Sequence, residues 1–165
     1  MGQRRGRADR GRQRARNCTG AAPVSTDLLN EIREDFLALE QKDRLLLLLE
    51  FANELPELPQ KFQDHPDLLE RVVECQSPVF IFVEVDADGA FHLHATAPRE
   101  SPTTRGFASI LAQGLDGLSA EEVLAVPDDY SQSIGLSEAV SPLRLRGMSA
   151  MLGRAKRQLR DRLAA

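Results

Sequence analysis

Apolar residues acquire a regular phase from Asp27 onward. Leu28, Leu29, Ile32, Phe36 and Leu39 recur at helical intervals, which predicts one buried stripe on an α-helix. Lys42 and Asp43 fall where that stripe would continue, so the helix is expected to end near residues 40–43. A second helix resumes through Leu45, Leu48, Leu49, Ala52 and Leu55 until Pro56 and Pro59 stop it. Pro66 suggests a short third helix, running from Asp67 toward Val73 and ending just before Cys75.

The period then changes. Val79 to Val85 is a β-branched and aromatic run, which predicts a strand buried largely on both faces. Asp86, Ala87, Asp88 and Gly89 supply turn chemistry. After them Phe91, Leu93 and Ala95 alternate with His92 and His94, completing a β-hairpin. Ser101 followed by Pro102 predicts a helix start, with Phe107, Ile110, Leu111, Leu115 and Leu118 as its apolar positions. Ser119 and Glu122 form a capping-box pattern for a short helix that must finish by Pro127, and another turn ends at Gly135. Ser141 and Pro142 repeat the start signal for a long last helix striped by Leu145, Met148, Leu152, Ala155, Leu159 and Leu163. Lys156, Arg157, Arg160 and Arg162 near its end oppose the negative pole of the helix dipole. The order of elements predicts an α+β domain, a small antiparallel sheet packed with helices.

Composition narrows the class. The 165 residues are 42% hydrophobic and 28% charged, in keeping with one globular domain. No apolar run exceeds the five residues of Leu45–Leu49, against the roughly 20 needed to span a bilayer, so no membrane role is expected. The net charge of −4 hides an asymmetry: residues 1–22 hold seven arginines against Asp9, a local +6, leaving −10 on the remainder. That basic stretch is read as a disordered tail, residues 1–22, ahead of a domain over 23–165. Without an apolar segment after the arginines it does not resemble a secretory signal. The acidic body and sparse aromatics argue against nucleic acid as a partner. Two cysteines, Cys18 and Cys75, cannot build a disulfide scaffold, and a reducing cytoplasmic setting is expected.

Cys75 is the most informative position, in a short polar loop, Glu74 to Ser77, ahead of the first strand. A thiol of ordinary pKa is about a tenth ionised near pH 7.5, so it can attack sulfur without elaborate activation provided it is reachable. The segment Val73-Glu74-Cys75-Gln76-Ser77-Pro78-Val79 resembles the cysteine loop of SufE-type sulfur acceptors of iron–sulfur cluster assembly. Three further matches follow the same order along the chain. They are Leu55-Pro56-Glu57-Leu58, the basic-Gly pair Arg105-Gly106, and Ser141-Pro142-Leu143-Arg144-Leu145-Arg146-Gly147-Met148. The resemblance covers roughly residues 27–163. It implies the fold shared by SufE-type acceptors and IscU-type scaffolds.

Its functional implication is that Cys75 takes persulfide sulfur from a PLP-dependent cysteine desulfurase, stimulates that enzyme and passes the sulfur to a cluster scaffold. No cofactor or metal of its own is implied. Gln76, Arg105 and Arg144 are the candidates for supporting the loop or meeting the partner. Two positions depart from the family pattern: Glu74 stands where Gly is usual, and Glu100 where Asp is usual. Glu74 also places a carboxylate beside the thiol, which should raise its pKa. The alternatives are an acceptor for a different desulfurase pathway and a thiol redox protein using Cys75. A metal-binding scaffold using His92 and His94 is disfavoured, since Cys75 is the sole thiol of the body and two alternate strand histidines suit a solvated face.

Overall fold

The computed structural model describes residues 26–165; the predicted tail, with Cys18, lies outside the described residues. Helix α1 spans Asp27–Leu37 and α2 spans Gln41–Asn53; the break falls at residues 38–40, slightly earlier than expected, and Lys42 and Asp43 lie in the first turn of α2. Leu29, Ile32 and Phe36 face inward on α1, and Phe36 stacks against Phe51 of α2 at 6.0 Å between ring centroids. Phe51 is fully buried although the α2 stripe read from the sequence passes it by.

The third helix is corrected. Residues 60–64 form a short α3 (Gln60–Asp64), Pro66–Leu68 is a single 3₁₀ turn, and Glu70–Arg71 is already strand β1. Strand β2 (Phe80–Val85) and strand β3 (Phe91–Thr96) complete a three-stranded antiparallel sheet in the order β1-β2-β3. Pairing of Glu70 with Ile81 and of Arg71 with Phe80 recruits residues 70–71 into the sheet. A cross-strand partner thus overrides the helical signal that Pro66 suggests. Cys75 therefore sits between two strands rather than between a helix and a strand.

Val79, Ile81 and Val83 of the β2 run, with Phe91, Leu93 and Ala95 of β3, form the inner face of the sheet. The second face of β2 is half-covered rather than buried. There Phe82 meets Phe62 of α3 at 4.7 Å, and the guanidinium of Arg162 lies 4.4 Å over its ring. The turn after β2 is held by Asp86, whose Oδ1 accepts N–H bonds from Asp88 and Ala90 at 2.9 and 3.0 Å. Gly89 supplies its left-handed residue at φ 81°.

Helix α4 (Pro102–Gly114) is the centre of the molecule. Ten of its thirteen residues are buried, so it is enclosed on nearly all sides instead of presenting one stripe. Gly106 lets it press against α2: a Cβ there would stand 2.3 Å from the Leu48 carbonyl oxygen. Helix α5 (Ala120–Ala125) carries the predicted capping box, with Ser119 and Glu122 exchanging bonds of 3.2 and 2.9 Å. After α6 (Tyr130–Ser133) comes the long α7 (Pro142–Ala164), capped by Ser141. Its inner stripe is buried through Leu159, whereas Leu163 is exposed. β1 is so short that Val83 of β2 is left without a strand partner on that edge. Side chains of α7 fill the gap: Gln158 Oε1 accepts the Val83 N–H at 2.8 Å, and Arg162 Nε donates to its carbonyl at 3.1 Å. Lys156, read from the sequence as one of the basic residues opposing the helix dipole, is buried and donates to Asp128 at 2.7 Å and to the Val126 carbonyl.

The histidine face is less solvated than its alternation suggests. His94 lies under Phe62 at 4.9 Å between ring centroids, and burial lowers its pKa. His92 bridges two carboxylates, Nε2 to Asp86 at 2.9 Å and Nδ1 to Asp116 at 2.6 Å. Hydrogen bonding first to Asp86 and then to Asp116 raises its pKa above the ordinary 6.5. A raised folded-state pKa adds stability that is fully present below pH 6.5 and lost as the pH climbs through the raised value. Thermal unfolding followed against pH should therefore show wild type losing its advantage over His92→Gln across that window. A difference between the two that stays flat would contradict the bridge.

Candidate functional site

The eight residues from Val72 to Val79 form a loop between β1 and β2 that carries Cys75 near its tip. The Val72 N–H donates to the Val79 carbonyl at 2.9 Å, closing the base of the loop, and the Cys75 N–H donates to the Val72 carbonyl at 3.1 Å. The Cys75 side chain turns inward and is 6% exposed, whereas Val73, Gln76 and Pro78 face solvent. Beneath the thiol lies α7 at Gly147. A Cβ on Gly147 would stand 3.0 Å from Cys75 Sγ, tighter than ordinary contact, so the absence of a side chain there makes room for the sulfur.

Glu74 departs from the family's usual glycine without strain, because among the described residues no non-glycine adopts a positive φ. Its carboxylate pairs with Arg154 of α7 through two parallel bonds, from Nε and from Nη2, both 2.9 Å. That fork geometry is the strong form of an arginine–carboxylate contact. Arg154 is anchored in turn by Nη1 to Glu70 at 2.7 Å. Glu70 also receives Gln158 at 2.7 Å and Arg157. Burial works against the charge on Glu70, but hydrogen bonds from Gln158, Arg154 and Arg157 outweigh it and lower its pKa.

The thiol itself is not ready to react in this arrangement. Burial above all, with the Glu74 charge second and Arg154 opposing, pushes its pKa up to about 11. At pH 7.5 such a thiol is ionised on the order of once in several thousand molecules. The one-in-ten thiolate expected from an ordinary cysteine describes an exposed loop, and here the loop is shut. The raising effect of the Glu74 carboxylate is the one anticipated from the sequence.

The other candidates occupy different places. Gln76 is exposed beside the thiol. Arg144, in the first turn of α7, reaches from Nη1 to Thr103 Oγ1 at 2.5 Å and joins the starts of α7 and α4. Arg105 has no direct bond to the cysteine loop: Nε donates to the Ala52 carbonyl at 2.9 Å and Nη1 to the Ala97 carbonyl at 2.7 Å. It closes the end of α2 onto the exit of β3. Glu100 lies in the turn before α4 and is exposed.

Ser101, expected as an N-cap, makes no side-chain cap bond; its hydroxyl pairs with that of Ser77 in the cysteine loop. Three site residues escape a reading of local sequence: Ser101 in this role, Gly147 as the floor under sulfur, and Arg154 as the partner of Glu74. The Gly147 signal was present as the last small residue of the Ser-Pro-x-Arg-x-x-Gly match. Arg154 carried none, being one arginine among several on α7.

A family model described as "SufE: Fe-S metabolism associated domain" matches residues 30–159. The chain belongs to the SufE family. A SufE-like protein of Mycobacterium tuberculosis (strain ATCC 25618 / H37Rv) is 53% identical over 141 residues, covering 85% of this chain and 97% of that protein. SufE-like protein 1 of Arabidopsis thaliana, chloroplastic/mitochondrial, is 27% identical over 125 residues, covering 75% of this chain but 32% of the plant protein. A hypothetical protein of Thermus thermophilus, known from its solution structure, shares the fold with a TM-score of 0.74 at 38% identity. The match covers 86% of this chain and all of that one. Membership of the SufE family ties the chain to iron–sulfur metabolism. Among the described residues no helix is long and apolar enough to cross a membrane.

Proposed function

We propose that this SufE-family protein is a sulfur acceptor and carrier working through Cys75 with a PLP-dependent cysteine desulfurase and an iron–sulfur scaffold in the cytoplasm. The observation that carries the reading is a buried, unpaired thiol on an eight-residue surface loop, resting on the glycine that ends a family motif. The chemistry is exchange at sulfur. The Cys75 thiolate attacks the outer, sulfane sulfur of the desulfurase persulfide; a bond forms between Sγ and that atom. The donor S–S bond breaks and its electron pair leaves on the desulfurase cysteine as thiolate. The proton lost by Cys75 goes to solvent, and no external oxidant or reductant is consumed. A second exchange, with a scaffold thiolate as nucleophile on the outer sulfur, restores Cys75.

The closed loop gives this scheme its order. A persulfide folded against α7 is sheltered from small reductants, and release occurs on opening against a partner. Among the described residues no second thiol stands beside Cys75 to resolve a sulfenate, which disfavours the redox alternative. Gln76, Val73 and Pro78 form the outward surface that meets the desulfurase, while Arg144 supports the frame around the loop. The test is incubation with a cysteine desulfurase and free cysteine, followed by mass spectrometry. A gain of about 32 Da, one sulfur atom, is expected on the Cys75 peptide and is reversed by thiol reductant. A peptide that stays unmodified while the desulfurase turns over would refute the carrier role.

A further inference from the structure

Sulfur transfer requires Cys75 to leave its seat, and we propose that the Glu74–Arg154 ion pair is the latch that holds the cysteine loop closed, making Glu74 a positioning residue for its neighbour. This inference rests on the carrier reading and adds the device that decides when the thiol is presented.

The bonds around the loop sort into those that travel with it and those that must break. The Cys75 N–H bond to the Val72 carbonyl and the Val79 N–H bond to the Ser77 carbonyl are internal and survive a hinge at the loop base. Fastenings that cross to other elements include the packing of Cys75 on α7 at Gly147, the Ser77–Ser101 hydroxyl pair, and the bidentate contact of Glu74 with Arg154. Of these, the ion pair is the charge-assisted one, and it acts on the residue adjacent to the thiol.

Its far end is fixed. Arg154 sits mid-way along the 23-residue α7 and is held by Glu70, which Gln158 and Arg157 hold in turn, so the fork is already oriented when Glu74 arrives. The Glu74 side chain is 36% exposed and that of Arg154 24%, which leaves the pair accessible to a competing charge and sensitive to salt. On the outer side Val73 is 65% exposed, so little else covers the loop.

Glu74 acts on the thiol in two separable ways, as a fastening and as a nearby negative charge. Glu74→Gln removes the charge and, with one acceptor oxygen left, the charge-assisted two-bond fork. Arg154→Gln removes the fastening but leaves the negative charge, now unpaired, beside the thiol. The full chain is alkylated with iodoacetamide, and modification is followed at the Cys75 peptide by mass spectrometry, with the Cys18 peptide as internal reference. If the pair is a latch, both variants react faster than wild type by about three- to tenfold, and Arg154→Lys, which keeps charge but not the fork, falls between.

If Glu74→Gln alone reacts faster while Arg154→Gln is slower or unchanged, Glu74 acts only through its charge and the latch is refuted. Equal rates in all four proteins refute it as well. Arg154 also steadies Glu70, so salt provides a second measurement that needs no arginine variant. Raising NaCl from about 0.05 to about 0.5 M should speed alkylation of wild type and leave Glu74→Gln unaffected, and an equal response in both overturns the proposal. None of these rates involves a desulfurase. The latch can therefore fail with the carrier role intact, and the carrier role can fail in the mass-spectrometric assay with the latch intact.

Discussion

Gly106→Ala is expected to lower the free energy of unfolding by about 3 kcal/mol, whereas Gly153→Ala raises it by about 0.5–1 kcal/mol. The two glycines lie in helix interiors, where alanine gains backbone entropy relative to glycine. What separates them is the space a Cβ would enter. At Gly106 it would meet the backbone oxygen of Leu48 at 2.3 Å and the Leu48 Cδ1 at 2.9 Å. A carbonyl in the middle of α2 cannot swing aside like a side-chain end, so α2 and α4 must move apart along the contact that organises the core. At Gly153 nothing lies within 4 Å, and only the gain in helix propensity remains. Urea denaturation midpoints measured for both variants would show the opposite signs. A Gly106→Ala protein with an unchanged midpoint would mean that α2 and α4 are not packed as described.

Cys75→Ser is expected to abolish both the sulfur adduct and any stimulation of a desulfurase, leaving a folded protein. The hydroxyl is similar in size and fits the space over Gly147, so the cost to stability is limited to burying a more polar group, about 1–3 kcal/mol. Function is lost for a different reason. An alkoxide is not available near neutral pH, and an oxygen nucleophile does not exchange at a disulfide-type bond as a thiolate does. Turnover of the desulfurase with excess cysteine, measured with wild type and with the serine variant, checks this directly. Full stimulation by the serine variant would leave the protein a docking role only, with sulfur leaving the desulfurase by another route.

The local elements were largely legible because their causes are local. The hairpin follows from strict alternation at Phe91, Leu93 and Ala95 and from Asp86 and Gly89 in the turn, and both are observed. The capping box at Ser119 needs only residues three apart. Where distant partners intervene, the local reading gives way. Ser101 has the right residue type for a cap, yet its hydroxyl engages Ser77, 24 positions away. Residues 70–71 join a sheet because β2 offers free hydrogen-bonding groups, and nothing within their own neighbourhood announces that.

The sequence by itself determined the α+β order of elements, the choice of Cys75 as the reactive candidate and, through four short motifs, membership of the SufE family. These rest on periodicity, turn chemistry and residue identity, each expressed within a few positions. Only the tertiary structure decided that the thiol is shut away. Its seat is made by Gly147 and its neighbour's partner by Arg154, respectively 72 and 80 residues further along the chain. Such long-range contacts arise when α7 folds back over the cysteine loop. The reactivity of the sulfur is therefore a property of packing, while its identity is a property of the chain.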